Sequence, residues 1–75
     1  MKYEEIAAEA ATYGVRVCVG SAIRWHAEGM DSAVAWMSPL RGRTWIAFNE
    51  NGVKFKGTKA KAANWCLDQA ANGPV

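Results

Sequence analysis

The chain has 75 residues, of which 51% are hydrophobic and 21% charged, and this length excludes a second folded unit, so we expect a single domain over residues 1–75. Fourteen of the hydrophobic residues are alanines, which predicts a thin core and favours support from a partner, for example in a homodimer. Residues 41–61 hold six basic side chains against one acid, whereas the other residues hold three against six, and this polarity predicts a basic side that attracts polyanions or an acidic protein.

The sequence indicates no membrane segment and no secretion signal. No stretch approaches the roughly 18 apolar residues of a membrane helix, and the start Met1–Glu5 is acidic where a signal peptide is basic and then apolar. We therefore expect a cytoplasmic protein without membrane contact. Cys18 and Cys66 lack the CxxC spacing, so two free thiols are expected in a reducing compartment, with a disulfide as the alternative.

The first half of the chain predicts a helix followed by strands. The apolar residues of segment 2–13 recur with the 3.6-residue period of a helix. In segment 15–19, valines alternate with Arg16 and Cys18, which predicts a strand. Residues 20–30 fit either a short helix capped by Ser21 or a continuation of that strand past a bulge, and we favour the strand. Residues 33–38 fit either a helical turn capped by Asp31 or Ser32 or a further strand, and the turn-like composition of residues 39–42 favours the strand.

The clearest element is a β-hairpin over residues 43–57, because Asn51-Gly52 between two apolar stretches is a strong hairpin signal. If these two residues form a type I′ loop, Phe48 pairs with Phe55, and alternation then assigns every side chain to a face. The predicted core face holds Ile46, Phe48, Val53 and Phe55. The predicted solvent face holds Arg43, Trp45, Asn49, Lys54 and Lys56.

A second helix is predicted over residues 58–72, because Thr58 is a favourable N-cap and Gly73-Pro74 ends the helix. The prediction for the whole chain is therefore an α+β fold. An antiparallel sheet of three or four strands carries an N-terminal and a C-terminal helix, both packed on one face.

The predicted solvent face and its neighbours combine cations with an aromatic ring, a combination that nucleic-acid-binding sheets use for phosphates and bases. The alternative is that the lysines only keep an open sheet face hydrated. An exposed Trp45 fits this alternative poorly, unless its side chain tucks under a neighbouring strand or a helix end. The candidate binding residues for a nucleic acid or a protein partner are Arg41, Arg43, Trp45, Lys54, Lys56, Lys59 and Lys61.

Catalysis is not indicated. His26 is the sole histidine, and no motif joins it to a cysteine or a carboxylate. A zinc site built from Cys18, His26 and Cys66 supplies three ligands at a spacing that matches no known pattern. We therefore expect a protein that is not an enzyme and that has neither a metal site nor a cofactor.

Residues 55–65 contain the pattern T-K-x-x-A-x-x-W directly after a strand. This junction resembles the one in arm-type DNA-binding domains of phage integrases, and the resemblance covers residues 43–69. It implies a three-stranded sheet that lies in the major groove of DNA. The helix-first order and the lysine-rich start of the second helix are also similar to double-stranded RNA-binding domains.

We therefore expect a small, non-enzymatic binding module that contacts nucleic acid through a basic, aromatic sheet face. Other small phage proteins with a similar hairpin and helix inhibit host defence systems such as CRISPR by binding a host protein at its nucleic-acid site. The alternative expectation is accordingly an anti-CRISPR-like inhibitor whose partner is a nucleic-acid-binding protein.

Overall fold

A helix at each end of the chain and a five-stranded antiparallel sheet between them make up the fold in the computed structural model, which describes residues 2–72. The α+β class and the two terminal helices are confirmed, whereas the predicted number of three or four strands is wrong. Neither helix has the length and apolar character needed to cross a membrane, within the described residues. The elements are α1 (Tyr3–Ala11), β1 (Arg16–Val19), β2 (Ile23–His26), β3 (Ala35–Arg41), β4 (Thr44–Asn49), β5 (Lys54–Thr58) and α2 (Lys59–Ala71).

Both helices are bounded by the signals that the sequence contains. Gly14 follows α1 with φ of +74°, a left-handed conformation that glycine adopts at low cost. Thr58 caps α2, because its Oγ1 accepts a hydrogen bond from the backbone N–H of Lys61 at 3.3 Å. Gly73 and Pro74, the predicted exit from α2, lie outside the described residues.

The strands form a meander in which each strand is hydrogen-bonded to the next one along the chain. Val19 pairs with Ile23, so residues 20–22 are a turn between β1 and β2. The prediction that one strand continues past a bulge at Gly20 is therefore wrong. A bulge keeps the direction of a strand, whereas this short connection reverses it and adds a strand to the sheet.

β3 continues through most of the segment 39–42, which the sequence predicts as a turn. Pro39 stays within β3 because the pairing with β4 is irregular between Pro39 and Arg41, and proline is tolerated beside a bulge. The chain reverses after β3 at Gly42, where φ is +55°. The predicted strand 33–38 is therefore shifted toward the C-terminus.

The loop between β4 and β5 has three residues, 50–52, and not the predicted two. The N–H of Gly52 donates to the carbonyl of Asn49 at 3.0 Å. Gly52 has φ of +82°, whereas no non-glycine residue in the described chain has a positive φ, so Asn51 does not occupy a type I′ turn. The geometry is that of a type I turn followed by a left-handed glycine, the usual three-residue hairpin loop.

This longer loop shifts the hairpin register by one residue and turns β4 over. Phe48 pairs with Lys54, and Ala47 pairs with Phe55. Of the four residues predicted for the core face, only Phe55 packs against the core, and Val53 is 54% exposed. A one-residue slip has this effect because successive side chains of a strand point to opposite faces.

Both helices pack on the same face of the sheet, here called the inner face. One buried cluster joins Ile6 of α1 and Cys66 of α2 to Trp25, Met37 and Ala47 of the sheet. Most other members of this cluster are alanines and valines, so the core is thin, as the composition predicts. The opposite face, here called the outer face, carries the alternate strand residues Arg16, Cys18, Arg24, His26, Trp36, Ser38, Ile46, Phe48, Lys54 and Lys56.

Candidate functional site

Five outer-face residues lie in one line across the sheet, beginning with Cys18 of β1, and the four that lie on β2 to β5 are here called the central row. Arg24 is the cross-strand partner of Trp36, Trp36 is the partner of Phe48, and Phe48 is the partner of Lys54. The row therefore runs perpendicular to β2, β3, β4 and β5, with a cation at each end and two aromatic rings in the middle. Neighbouring strands are about 4.8 Å apart, so the two cations are anchored roughly 14 Å apart.

The two rings of the central row stack on each other. The ring centroids of Trp36 and Phe48 are 5.4 Å apart and the ring planes differ by 16°. Both side chains are only partly buried, so part of the pair is open to solvent. Cross-strand aromatic pairs stabilise a sheet, and stacking favours a defined orientation of each ring.

A thiol from the helix layer supports the strand that carries Trp36. Cys66 Sγ lies 3.5 Å from the backbone carbonyl oxygen of Trp36 and donates to it. Burial raises the pKa of the Cys66 thiol from 9.0 to about 12, so the group keeps its proton at neutral pH and remains a donor. Cys66 is therefore a structural residue and not a nucleophile.

Further cations surround the central row. Lys56 is the cross-strand partner of Ile46 and lies two residues after Lys54 on β5, on the same face. Arg41, at the end of β3, lines a shallow hollow together with Lys56 and Thr44. Arg16 lies on the edge strand β1, where its guanidinium is 3.4 Å from the carbonyl oxygen of Met30. The outer cations are thus Arg16, Arg24, Arg41, Lys54 and Lys56.

The acidic residues lie outside the strands of the sheet. Four of the seven acids are on the helices, three on α1 and Asp68 on α2. Glu28 and Asp31 are in the connection between β2 and β3, and Glu50 is in the loop after β4. None of the seven acids therefore belongs to a strand. Glu28 and Asp31 line a hollow together with Arg16. No strand acid offsets the other four outer cations, so we expect this part of the outer face to attract anions.

The structure brings together some of the predicted site residues. Lys54, Lys56 and Arg41 share the outer face, and Arg43 lies in the turn between β3 and β4. The prediction that Lys54 and Lys56 lie on the solvent face of β5 is confirmed, since both are exposed and Phe55 between them packs against the core.

Trp45, Lys59 and Lys61 lie on the helix side instead. The prediction that Trp45 is exposed beside Lys54 and Lys56 is wrong, because the register shift turns its side chain to the inner face, where it packs against the core. Lys59 Nζ lies 5.2 Å from the centre of the Trp45 ring, a cation–π contact at the start of α2.

Sequence reasoning missed three of the four residues in the central row: Arg24, Trp36 and Phe48. The alternation Ile23-Arg24-Trp25 is a local sign that Arg24 faces outward. No comparable sign exists for Phe48, because Trp45-Ile46-Ala47-Phe48 is apolar at every position and either face could be buried. The alignment of the row depends on the register of three strand pairs.

The residues considered for chemistry do not form a site. His26 is only 6% exposed, and neither ring nitrogen has a hydrogen-bond partner in the described structure. Cys18 and Cys66 are both free thiols. Among residues 2–72, no three histidine, cysteine or acidic side chains lie close enough together to hold a metal ion.

Comparison of the chain with protein-family models, with curated proteins and with solved structures finds no match. The resemblance of residues 43–69 to integrase arm-type domains therefore stays a prediction from the sequence.

Proposed function

We propose that this chain is a small, non-enzymatic module that binds nucleic acid through the outer face of its sheet. The main support is the central row, in which two stacked aromatic rings lie between two cations on directly paired positions of four neighbouring strands. Cations neutralise phosphates and supply most of the affinity, whereas aromatic rings contact bases or sugars.

The distribution of charge supports a polyanion as the ligand. Five of the nine basic side chains are outer cations, and all seven acids lie on helices and connections. If every outer cation contacted one phosphate, the logarithm of the binding constant would fall with the logarithm of salt concentration at a slope of about −3.5 for a single strand.

The pair of Trp36 and Phe48 argues against the alternative that the residues of the outer face serve only to keep the sheet hydrated. Hydration of an open sheet requires polar residues at alternate positions, and Lys54 and Lys56 on β5 supply them. Trp36, Ile46 and Phe48 occupy the equivalent positions of β3 and β4 and are partly exposed. An apolar centre rimmed by charge is typical of a binding surface.

The test is a comparison of two double variants with equal net charge. Lys54→Glu with Lys56→Glu reverses two outer cations, and Lys2→Glu with Lys61→Glu reverses two exposed lysines of the helix layer. Each substitution lowers the charge by two, so both variants change the net charge from +2 to −2. Any difference between them then reflects the position of the charges.

Binding is measured by fluorescence anisotropy with labelled mixed-sequence single strands and duplexes of DNA and RNA at low salt. We expect the outer-face variant to lose about tenfold or more in affinity, and the helix-layer variant to stay within about twofold of the unmodified protein. Equal losses would show that only bulk charge matters. An unmodified, folded protein that retains none of these nucleic acids would refute the proposal and leave a protein partner as the ligand of this face.

A further inference from the structure

We infer that the ligand of the outer face is a single-stranded nucleic acid that crosses the β-strands along the central row, with unpaired bases stacked on Trp36 and Phe48. This inference rests on the proposed function and specifies its ligand. Three features of the outer face support it: the chemistry at its centre, its width and the position of its cations.

The centre of the face offers ring surfaces instead of hydrogen-bonding groups. Duplex DNA presents base edges in its grooves, and proteins read them with arginine, lysine, asparagine or glutamine side chains. The middle of the central row holds Trp36 and Phe48, with Ile46 beside them. Ring surfaces match the faces of bases, which are hidden inside a duplex and accessible in a single strand.

The sheet is too wide to lie face-down in a major groove. Five strands separated by about 4.8 Å span roughly 19 Å, whereas the major groove of B-DNA is about 12 Å wide. The three-stranded sheet implied by the integrase resemblance would span only about 10 Å by the same spacing. The additional strands β1 and β2 therefore disfavour the binding mode that the resemblance implies.

The cations are placed for one phosphate chain that passes over the rings. Arg24 and Lys54 are at opposite ends of the central row, roughly 14 Å apart. That distance corresponds to about four nucleotides at the stacked spacing of 3.4 Å, and to fewer if the strand is extended. A single strand can therefore contact both cations while its bases cover the aromatic pair between them.

The inner side of the protein supplies a matched control for the aromatic pair. Phe55 and Trp65 form a second stack, with ring centroids 6.0 Å apart and planes that differ by 12°. Like Trp36, Trp65 is a partly buried indole stacked on a phenylalanine, but it belongs to α2 and packs against the core. Trp36→Ala and Trp65→Ala therefore remove the same group from equivalent pairs on opposite sides of the sheet.

The experiment measures anisotropy with fluorescein-labelled 12-nucleotide oligothymidine, oligouridine and a mixed-sequence 12-base-pair DNA duplex at about 50 mM salt. We expect one of the single strands to bind at least about tenfold more tightly than the duplex. Trp36→Ala should weaken that binding by about 5-fold to 150-fold, the range for losing one stacked base, and Trp65→Ala should leave it within about twofold.

Two further variants keep the test decisive if Trp36→Ala does not fold, as judged by circular dichroism. Trp36→Phe retains a ring and should bind within about fivefold of the unmodified protein. Phe48→Leu retains apolar volume without a ring and should lose affinity as Trp36→Ala does.

Equal or tighter binding of the duplex would overturn the inference and leave the proposed function intact, whereas no binding of any oligonucleotide would overturn both. Tighter binding of oligouridine identifies RNA as the ligand, and tighter binding of oligothymidine identifies DNA.

Discussion

The side chain of Asn49 holds the hairpin loop in its three-residue form, and its removal should cost about 2 kcal/mol of stability. Its Oδ1 accepts hydrogen bonds from the backbone N–H groups of Asn51 at 2.9 Å and Val53 at 3.1 Å. Its Nδ2 donates to Gln69 Oε1 of α2 at 3.0 Å. Asn49→Ala removes all three, each worth about 1 kcal/mol net, with the two exposed loop bonds at the lower end of the range.

The assay is equilibrium unfolding in urea, followed by circular dichroism and by tryptophan fluorescence. For a domain of this size, a loss of about 2 kcal/mol lowers the melting temperature by roughly 8 to 16 °C. Asn49→Asp keeps both loop bonds and loses only the donor to Gln69, so it should cost about 1 kcal/mol or less. Gln69→Ala should cost a similar amount, since it removes the same bond from the other partner.

This interpretation of Asn49 can be refuted in two ways. A loss below about 0.5 kcal/mol for Asn49→Ala would mean that water replaces the side chain at no cost. Equal losses for Asn49→Ala and Asn49→Asp would mean that the bond to α2 carries the whole effect and that the loop bonds contribute nothing.

Three further predictions concern single substitutions. Gly57→Ala should lower the unfolding free energy by about 1 kcal/mol in the urea assay, because a Cβ there would lie 3.1 Å from Phe55 Cε1 and 3.2 Å from Cζ; an unchanged or higher value would contradict this. Lys61→Glu should raise the melting temperature by a few degrees in a thermal scan, since a glutamate at the third position of α2 completes a capping box with Thr58 and suits the helix dipole; a lower value would refute it. The raised pKa of the Cys66 thiol, from 9.0 to about 12, means that the unfolded chain loses this proton first. Stability should therefore fall as the pH rises from about 9, by at most about 1.4 kcal/mol per pH unit, and unfolding curves of Cys66→Ala should lack this contribution.

The parts of the fold that depend on neighbouring residues could be predicted from the sequence. The start of α2 is an example, because Thr58 caps the helix with a hydrogen bond that spans three residues. The inner side of α2 follows from the 3.6-residue period in the same way. Of the five residues on this stripe, Leu67 is partly buried and the other four are buried: Ala62, Ala63, Cys66 and Ala70.

The candidate site could be predicted only in part, because it depends on pairings between distant segments. Lys54 and Lys56 flank Phe55, and this alternation sufficed to place them on the outer face. The partners of Lys54 in the central row come from three other strands, up to 30 residues away along the chain. No local pattern specifies which residue of one strand lies opposite which residue of the next, because register depends on the loops and on burial of the whole sheet.

The length of a single loop therefore decides which aromatic residues can form the binding face. A two-residue loop would pair Phe48 with Phe55 and set Trp45 beside the lysines of β5, whereas the observed loop pairs Phe48 with Lys54 and turns Trp45 inward. Both arrangements bury apolar residues of β4, so hydrophobicity alone separates them poorly. The three-residue loop adds the hydrogen bonds of Asn49, including one to α2, and aligns Phe48 with Lys54. The side chain that stabilises the hairpin thus holds the β4–β5 register, one of the three strand pairings on which the proposed nucleic-acid site depends.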